Sequence, residues 1–406
     1  IEATLQGSFP GMQLQPEVTR DLTLEGVVAI NALTQVKVTG LNVTDGNLAV
    51  TADGTIDLET RDADFRSQIA VAQLGEYAAL ADLPYRGAAN FQVDVVSGEA
   101  PGSLIARIDG SVNELDGLPA TVEGVAGSAL TLKAAAHYDG TDASVRDFYL
   151  EGSGIRAEGQ GTINTKTQAL DVTLSGGLDD IAPFSALAKR PLAGAAEFEL
   201  AATGTTENLS ADVMLRGENL ILDVVQASRA EITVKASGIP SASVAELSVT
   251  LSEADEALTL NASIAHKDSL LAIRTFGLET GENQLSGSGR MNLETLRGEG
   301  EIDVKLPELA ALKTWVKLPL EGAVALQATL TEGPDTLTGN LTVDGLVSSA
   351  VKLGHVEGTF DVTDVFDTPA GTIALRATEL DTGDIRLTSL NLNAEGPPSG
   401  LQVTVE

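Results

Sequence analysis

The sequence predicts an all-β fold, an elongated and continuous antiparallel-rich twisted sheet carrying three short amphipathic helices. Three observations lead there: apolar and polar residues alternate with period two, turn residues recur along the chain, and the apolar content is aliphatic. Of 406 residues, 41 are Gly and only 3% are aromatic, with Trp315 the sole tryptophan. A thick globular core draws much of its buried area from aromatic rings, so a broad surface tiled with Val, Leu, Ile and Ala fits this composition better.

The alternation is plain in Leu247-Ser-Val249-Thr-Leu251, in Leu258-Thr-Leu260-Asn-Ala262-Ser-Ile264 and in Leu341-Thr-Val343. Successive side chains of a strand point to opposite faces, so each run has one aliphatic face and one polar face. Turn chemistry is expected at Asp53-Gly54, Asp139-Gly140, Gly217-Glu-Asn219, Gly333-Pro-Asp335 and Asp344-Gly345. One strand per ~10–12 residues gives roughly 30–40 strands. Stacked about 4.8 Å apart, they span on the order of 150–190 Å.

An internal repeat organises the chain. Asp53-Gly-Thr-Ile-Asp-Leu-Glu-Thr60 returns as Gln160-Gly-Thr-Ile-Asn-Thr-Lys-Thr167 and, more loosely, as Ser288-Gly-Arg-Met-Asn-Leu-Glu-Thr295. Each copy leads to a stripe of apolar residues at i, i+3 and i+6, the spacing of a helix face: Leu74, Tyr77 and Leu80; Ile181, Phe184 and Leu187; Leu306, Leu309 and Leu312. Asp180 and Pro307 are start signals for the second and third. These helices are expected to plug the sheet edge or the mouth of a trough. Restarts follow at Pro84-Tyr-Arg-Gly-Ala88, Pro191-Leu-Ala-Gly-Ala195 and Pro319-Leu-Glu-Gly-Ala323. Gly54 and Gly161 are 107 residues apart, as are Pro84 and Pro191; the next step is 128 for both landmarks. The expected organisation is a partial repeat at 1–49, repeats at 50–156 and 157–284, and a truncated one at 285–406, all in one continuous groove.

The formal net charge of −33 excludes nucleic acid as a partner, since phosphate binding requires a basic stripe, and equally excludes electrostatic docking on an anionic membrane. It reads as a solvated outer face that keeps a β-rich chain soluble. The absence of cysteine removes disulfides and thiolate metal sites. No stretch reaches the ~18 apolar residues that span a bilayer, and no signal peptide is visible. Ile1 and the Leu401–Val405 run both read as strand, so both ends look cut from something longer.

The sequence offers no catalytic constellation, metal site or cofactor site, and the chain is not expected to be an enzyme. His137, His266 and His355 are isolated among strand residues, without metal-ligand spacing. Asp361, Asp364 and Asp367 and the pair Asp139 and Asp142 read as turn or outward-facing carboxylates, with too few ligands for calcium. The sequons at Asn42, Asn208, Asn261 and Asn340 fall in expected strands and are read as coincidence. What remains to be explained is the aliphatic face. Each buried Val or Leu contributes about 1.5–3 kcal/mol, and an exposed stripe aggregates. The sheet therefore folds on itself as a closed sandwich or solenoid, or as a trough whose lining meets apolar chains.

Taken together, the Gly-x-Ile-Asp-Leu-x-Thr element, the Leu-x-x-Leu helix, the Pro-Leu-x-Gly-Ala restart, and the downstream runs Gly358-Thr-Phe360, Thr368-Pro-Ala-Gly371 and Ala377-Thr-Glu-Leu380 resemble the AsmA-like family of bridge-type lipid transfer proteins. The resemblance covers essentially the whole chain and rests on a diffuse pattern. The family's N-terminal inner-membrane helix and its C-terminal barrel-binding domain have no counterpart here, which fits a central fragment. The resemblance implies a taco-shaped groove in the periplasm of a Gram-negative bacterium. Phospholipid acyl chains pass along its interior between the membranes, and an outer-membrane barrel partner binds elsewhere. On that reading Val249, Leu251, Leu258, Leu260, Ile264, Leu326, Leu330, Leu341 and Val343 line the groove. A structural or adhesive β-solenoid and a chaperone groove for outer-membrane strands, acting by edge pairing, are the alternatives.

Overall fold

The computed structural model describes every residue except 16–17, 32–33, 79–82, 101, 224, 317, 334, 384 and 401, and gives the backbone alone for 12–15, 18–20 and 399. The chain forms two compact units, Ile1–Thr206 and Glu207–Glu406. Both are antiparallel β-sheet with little else.

The first unit holds β1 (Glu2–Gln15), β2 (Val18–Asn31), β3 (Gln35–Thr44), β4 (Leu48–Asp57), β5 (Ala63–Val71), β6 (Arg86–Ser97), β7 (Leu104–Asp116), β8 (Ala129–Tyr138), β9 (Asp142–Glu151), β10 (Ile155–Asn164), β11 (Ala169–Leu178) and β12 (Leu192–Thr205). Helix α1 (Leu74–Ala78) follows β5 and α2 (Ala120–Ala126) follows β7. A 3-10 turn at Ala182–Phe184 running into α3 (Ser185–Ala188) follows β11.

The second unit holds β13 (Asn208–Leu222), β14 (Val225–Pro240), β15 (Ala242–Glu253), β16 (Glu256–Lys267), β17 (Leu270–Thr280), β18 (Asn283–Asn292), β19 (Gly298–Leu306), β20 (Glu321–Thr331), β21 (Thr336–Val347), β22 (Lys352–Thr363), β23 (Ala370–Asp381), β24 (Arg386–Gly396) and β25 (Gln402–Val405). A 3-10 turn at Leu309–Leu312 leads into α4 (Lys313–Val316) between β19 and β20.

Within each unit, strands pair antiparallel with their sequence neighbours, and among the described residues no pairing closes either sheet into a barrel. In such a meander, connections alternate between two edges. Among the described residues α1–α4 all follow odd-numbered strands and share one edge in their unit, while the opposite edge carries turns and, after β24, a short 3-10 turn at Pro398–Gly400.

The repeats are visible atom by atom. On the hairpin edge Asp57 Oδ1 accepts the backbone N–H groups of Glu59 and Thr60, Asn164 those of Lys166 and Thr167, and Asn292 those of Glu294 and Thr295. Four residues beyond each, Arg61, Gln168 and Leu296 share a left-handed backbone, with φ of 65°, 58° and 56°. The residue after each Asx docks on the preceding hairpin: Leu58 N–H donates to Thr34, Thr165 to Thr141 and Leu293 to Ser269. The restart motif is equally regular. Gly87, Gly194 and Gly322 have φ of 129°, 110° and 105°, a region disfavoured for residues with a Cβ. A Cβ at Gly87 would fall 2.6 Å from Asn113 O, and one at Gly322 would fall 2.5 Å from Asp344 O.

Several expectations are corrected. There are 25 strands among the described residues rather than 30–40, because apart from four-residue β25 they run from 9 to 16 residues. Asp53-Gly54, Gly217-Glu-Asn219 and Asp344-Gly345 lie inside β4, β13 and β21. The left-handed residues Asn219 and Gly345, with φ of 52° and 58°, distort their strands without turning the chain. Leu306 ends β19 and is not helical, since Pro307 separates it from the 3-10 turn. Leu187 points to solvent, 76% exposed, and covers nothing. Leu80 lies outside the described residues. Helix α2 is a fourth helix that was not expected.

Candidate functional site: an apolar face open along one edge

Paired residues of an antiparallel sheet project to the same face, so the register fixes which side chains line up. In the second unit one row crosses all thirteen strands: Leu215, Ile232, Val249, Leu260, Leu278, Leu285 and Val304 on β13–β19, then Leu326, Leu341, Gly358, Leu375, Leu392 and Val405. No polar side chain interrupts it. The nine residues expected to line a groove all lie on this face. Val249, Leu260, Leu326 and Leu341 belong to the row itself, Leu251, Leu258 and Val343 to the adjacent row toward the helix edge, and Ile264 and Leu330 lie two rows toward the hairpin edge, beyond Ala262 and Ala328. The first unit repeats the pattern from β3 to β12 through Val38, Gly54, Phe65, Val95, Ala106 and Ala136, then Val145, Gly161, Val172 and Ala202.

Burial across this face runs from one edge to the other. Toward the helix edge, Ala89 and Ala157 in the first unit and Leu251, Val343, Val356 and Ala377 in the second are buried. Toward the hairpin edge, Tyr138, Val145 and Ile163 in the first unit and Ile273, Met291 and Ile373 in the second remain about 40% exposed. The face is sealed on one side and open on the other.

Strand side chains and helices both build the seal: Leu346, Leu353 and Leu390 pack over Val343, Val356 and Ala377, and helices dock elsewhere along the edge. In the first unit α1 docks on the β3–β4 turn, where the Tyr77 hydroxyl donates to Asp45 and the Asn47 amide donates to Glu76. The Asp180 carboxylate accepts the Ala182 N–H at 2.9 Å, which starts the 3-10 turn leading into α3, while Ile181 N–H donates to Gly194 O. In the second unit Trp315, only 2% exposed, donates through Nε1 to Thr280 Oγ1 at 3.0 Å. Asn283, fully buried, donates to Glu308 O at 2.8 Å and accepts the Glu308 N–H at 3.1 Å. Helix α4 also touches β14, five strands before β19. That contact requires the second unit's sheet to curl, because five strand spacings are about 24 Å on a flat sheet.

Among the described residues two cavities lie along these faces. One of about 680 Å3 in the first unit is lined from β6 to β11, with Val95, Ala106, Val145, Phe148 and Ile163 among its walls. In the second unit a cavity of about 450 Å3 lies between Leu271, Met291, Ile302, Leu330 and Phe366. A third, of about 640 Å3, lies at the helix edge of the second unit and is lined largely from the opposite face, by Gln284, Lys305, Ala325 and Thr342.

A charged clasp stands beside the second of these cavities. Arg297, just after the Asn292 turn, donates through Nη1 to Asp335 at 2.7 Å and through Nη2 to Asp367 at 2.5 Å. The two carboxylates belong to the β20–β21 and β22–β23 turns, and Val365 N–H donates to Asp335 O at 3.1 Å. The hydrogen bond and charge of Asp367, reinforced by Asp335, hold the Arg297 guanidinium even more firmly protonated than usual.

The histidines stand on three separate strands, β8, β16 and β22. His355 lies on the polar face, with Nδ1 2.6 Å from Asp344 Oδ1 and Nε2 3.4 Å from Glu357 Oε1. The Asp344 hydrogen bond raises its pKa above the ordinary histidine value. Asp139 Oδ1 accepts the N–H groups of Asp142 and Thr141, which lower its pKa. Asp367 is paired with Arg297. Among the described residues no group of acidic or histidine side chains is arranged to hold a metal ion. Among the described residues no helix is long and apolar enough to cross a membrane. Compared with family models and with curated proteins, the chain matches none.

Proposed function

We propose that this chain is a segment of a lipid-conducting bridge, in which each unit holds phospholipid acyl chains against its apolar face while headgroups stay at the hairpin edge. The observation that carries this reading is the unbroken aliphatic row, sealed at the helix edge and open at the other. A continuous apolar strip longer than a single ligand provides non-directional attraction at every step, so a chain can slide without breaking specific bonds. The role is conduction, not catalysis, and needs no bound cofactor.

The AsmA-like resemblance supplies the setting. Within that family the pattern is similar to TamB, the subunit of the translocation and assembly module. On this reading the segment works in the periplasm of a Gram-negative cell, between an inner-membrane anchor and an outer-membrane barrel partner of the TamA type that binds other regions. Native mass spectrometry of the gently purified chain is the test. The expected result is co-purified phospholipid that is lost from Leu341→Asp. A lipid-free wild-type chain recovered from membranes argues against the proposal.

A further inference from the structure

Nine phenylalanines occur in the chain, and six of them face a glycine directly across the sheet, all on the apolar face. The pairs are Phe65 with Gly54, Phe91 with Gly110, Phe148 with Gly159, Phe198 with Gly176, Phe276 with Gly287 and Phe360 with Gly339. In four of them the ring occupies the space where the glycine's side chain would be. A Cβ at Gly110 would lie 2.2 Å from Phe91 Cδ1, one at Gly339 2.3 Å from Phe360 Cζ, one at Gly176 2.7 Å from Phe198 Cζ, and one at Gly54 2.9 Å from Phe65 Cδ2. These rings lie down along the neighbouring strand instead of standing out from the sheet. Such pairing stabilises glycine in any sheet. On an open apolar face it has a second consequence, because it holds the largest side chains level with the aliphatic floor.

We infer that the phenylalanine–glycine pairs set the clearance of the groove and so determine what it admits: slender, unbranched acyl chains. The inference rests on the lipid-conducting reading and names the residues that define its substrate class. Gly110 is the cleanest site, because its three nearest obstacles are all atoms of the Phe91 ring. Phe91 lies two residues from Val93 and four from Val95 on the same face of β6, and Val95 lines the 680 Å3 cavity. Gly110→Ala forces the ring upward beside that cavity. In Phe91→Leu/Gly110→Ala the smaller side chain no longer competes for the space.

The experiment measures binding of a fluorescent straight-chain fatty acid and of a methyl-branched one to the purified chain, with circular dichroism reporting strand content. Gly110→Ala should weaken straight-chain binding about tenfold, equivalent to ~1.4 kcal/mol, and the double variant should restore it. Phe91→Leu alone leaves the glycine free and should tighten branched-chain binding about threefold, a readout that stands even if Gly110→Ala fails to fold. Unchanged affinity in a folded Gly110→Ala, an unrestored but folded double variant, or a Phe91→Leu chain indifferent to the branched probe would each overturn the inference. If the wild-type chain binds neither probe, the lipid-conducting reading itself fails.

Discussion

The two cavities beside the repeated Asx turns have nearly the same turn backbone and different residues at the turn's end. In the first unit the turn at Asn164 leads to Gln168 and Ala169; in the second the turn at Asn292 leads to Leu296 and Arg297. The capping hydrogen bonds and the left-handed residue are the same. Ala169 has no side chain to reach a neighbour. Arg297 gathers two further turns, and the Asp367 it holds stands next to Phe366, which forms part of the cavity wall. The β18–β19 and β22–β23 turns are four strand spacings apart, about 19 Å on a flat sheet. One guanidinium spans them only because the hairpin edge rolls inward there. A single side chain on a shared turn geometry thus ties two further turns together beside one cavity and has no counterpart beside the other.

The largest expected effect tests the other edge. Trp315→Ala empties the best-packed site of the second unit and leaves Thr280 Oγ1 without its donor. Large aromatic-to-alanine changes in cores cost about 3–5 kcal/mol. Denaturant unfolding followed by circular dichroism should show the second unit melting early while the first is unmoved; a uniform shift of both would argue against separate seals.

Next in size is the clasp. Arg297→Gln keeps the shape of the side chain and removes its charge. Hydrogen exchange at the Val365 amide should accelerate at least tenfold and become insensitive to salt, whereas wild-type exchange should quicken as salt screens the ion pairs. The corresponding first-unit change, Ala169→Arg, should not slow exchange anywhere unless acidic turns lie within reach. Unaltered Val365 exchange in Arg297→Gln would show that the backbone alone holds these turns together.

Much of this fold is legible in the sequence because the face-to-face alternation is local. Leu258, Leu260 and Ile264 announce their shared side without knowledge of their partners. The repeat is legible for the same reason, since Asx turns and left-handed glycines impose residue types at fixed offsets. What escaped depends on register or on distance. Asp344-Gly345 has the chemistry of a turn and serves as a distortion within β21, which only the pairing with β20 and β22 reveals. Helix α2 has two β-branched valines and an internal glycine, Gly124, in place of a leucine stripe; its place is set by packing, with Pro183 so near that a Cβ at Gly124 would lie 2.8 Å from Pro183 Cβ. The Arg297 clasp joins residues far apart in the chain, and the phenylalanine–glycine pairs exist only once the strands are aligned.

The smallest effect concerns the outer face. His355 has a raised pKa through Asp344 and, secondarily, Glu357. A histidine more basic in the folded state adds stability that is complete below its unfolded pKa, near 6.5. That contribution is lost as pH rises through the folded value. Thermal unfolding should therefore fall slightly from pH 6 to pH 8, and His355→Gln should flatten that slope. Because the ring is solvent-accessible and on the polar face, lipid binding should not change with it.

The most direct test of the central claim uses neighbouring residues that differ only in the face they occupy. A photoreactive side chain at Leu260 or Leu341 looks onto the apolar row, and one at Thr259 or Thr342 looks the other way. Crosslinking in Gram-negative cells should give phospholipid adducts from Leu260 and Leu341 and none from Thr259 and Thr342. Adducts from both faces alike, or from neither, would contradict a lipid-conducting groove.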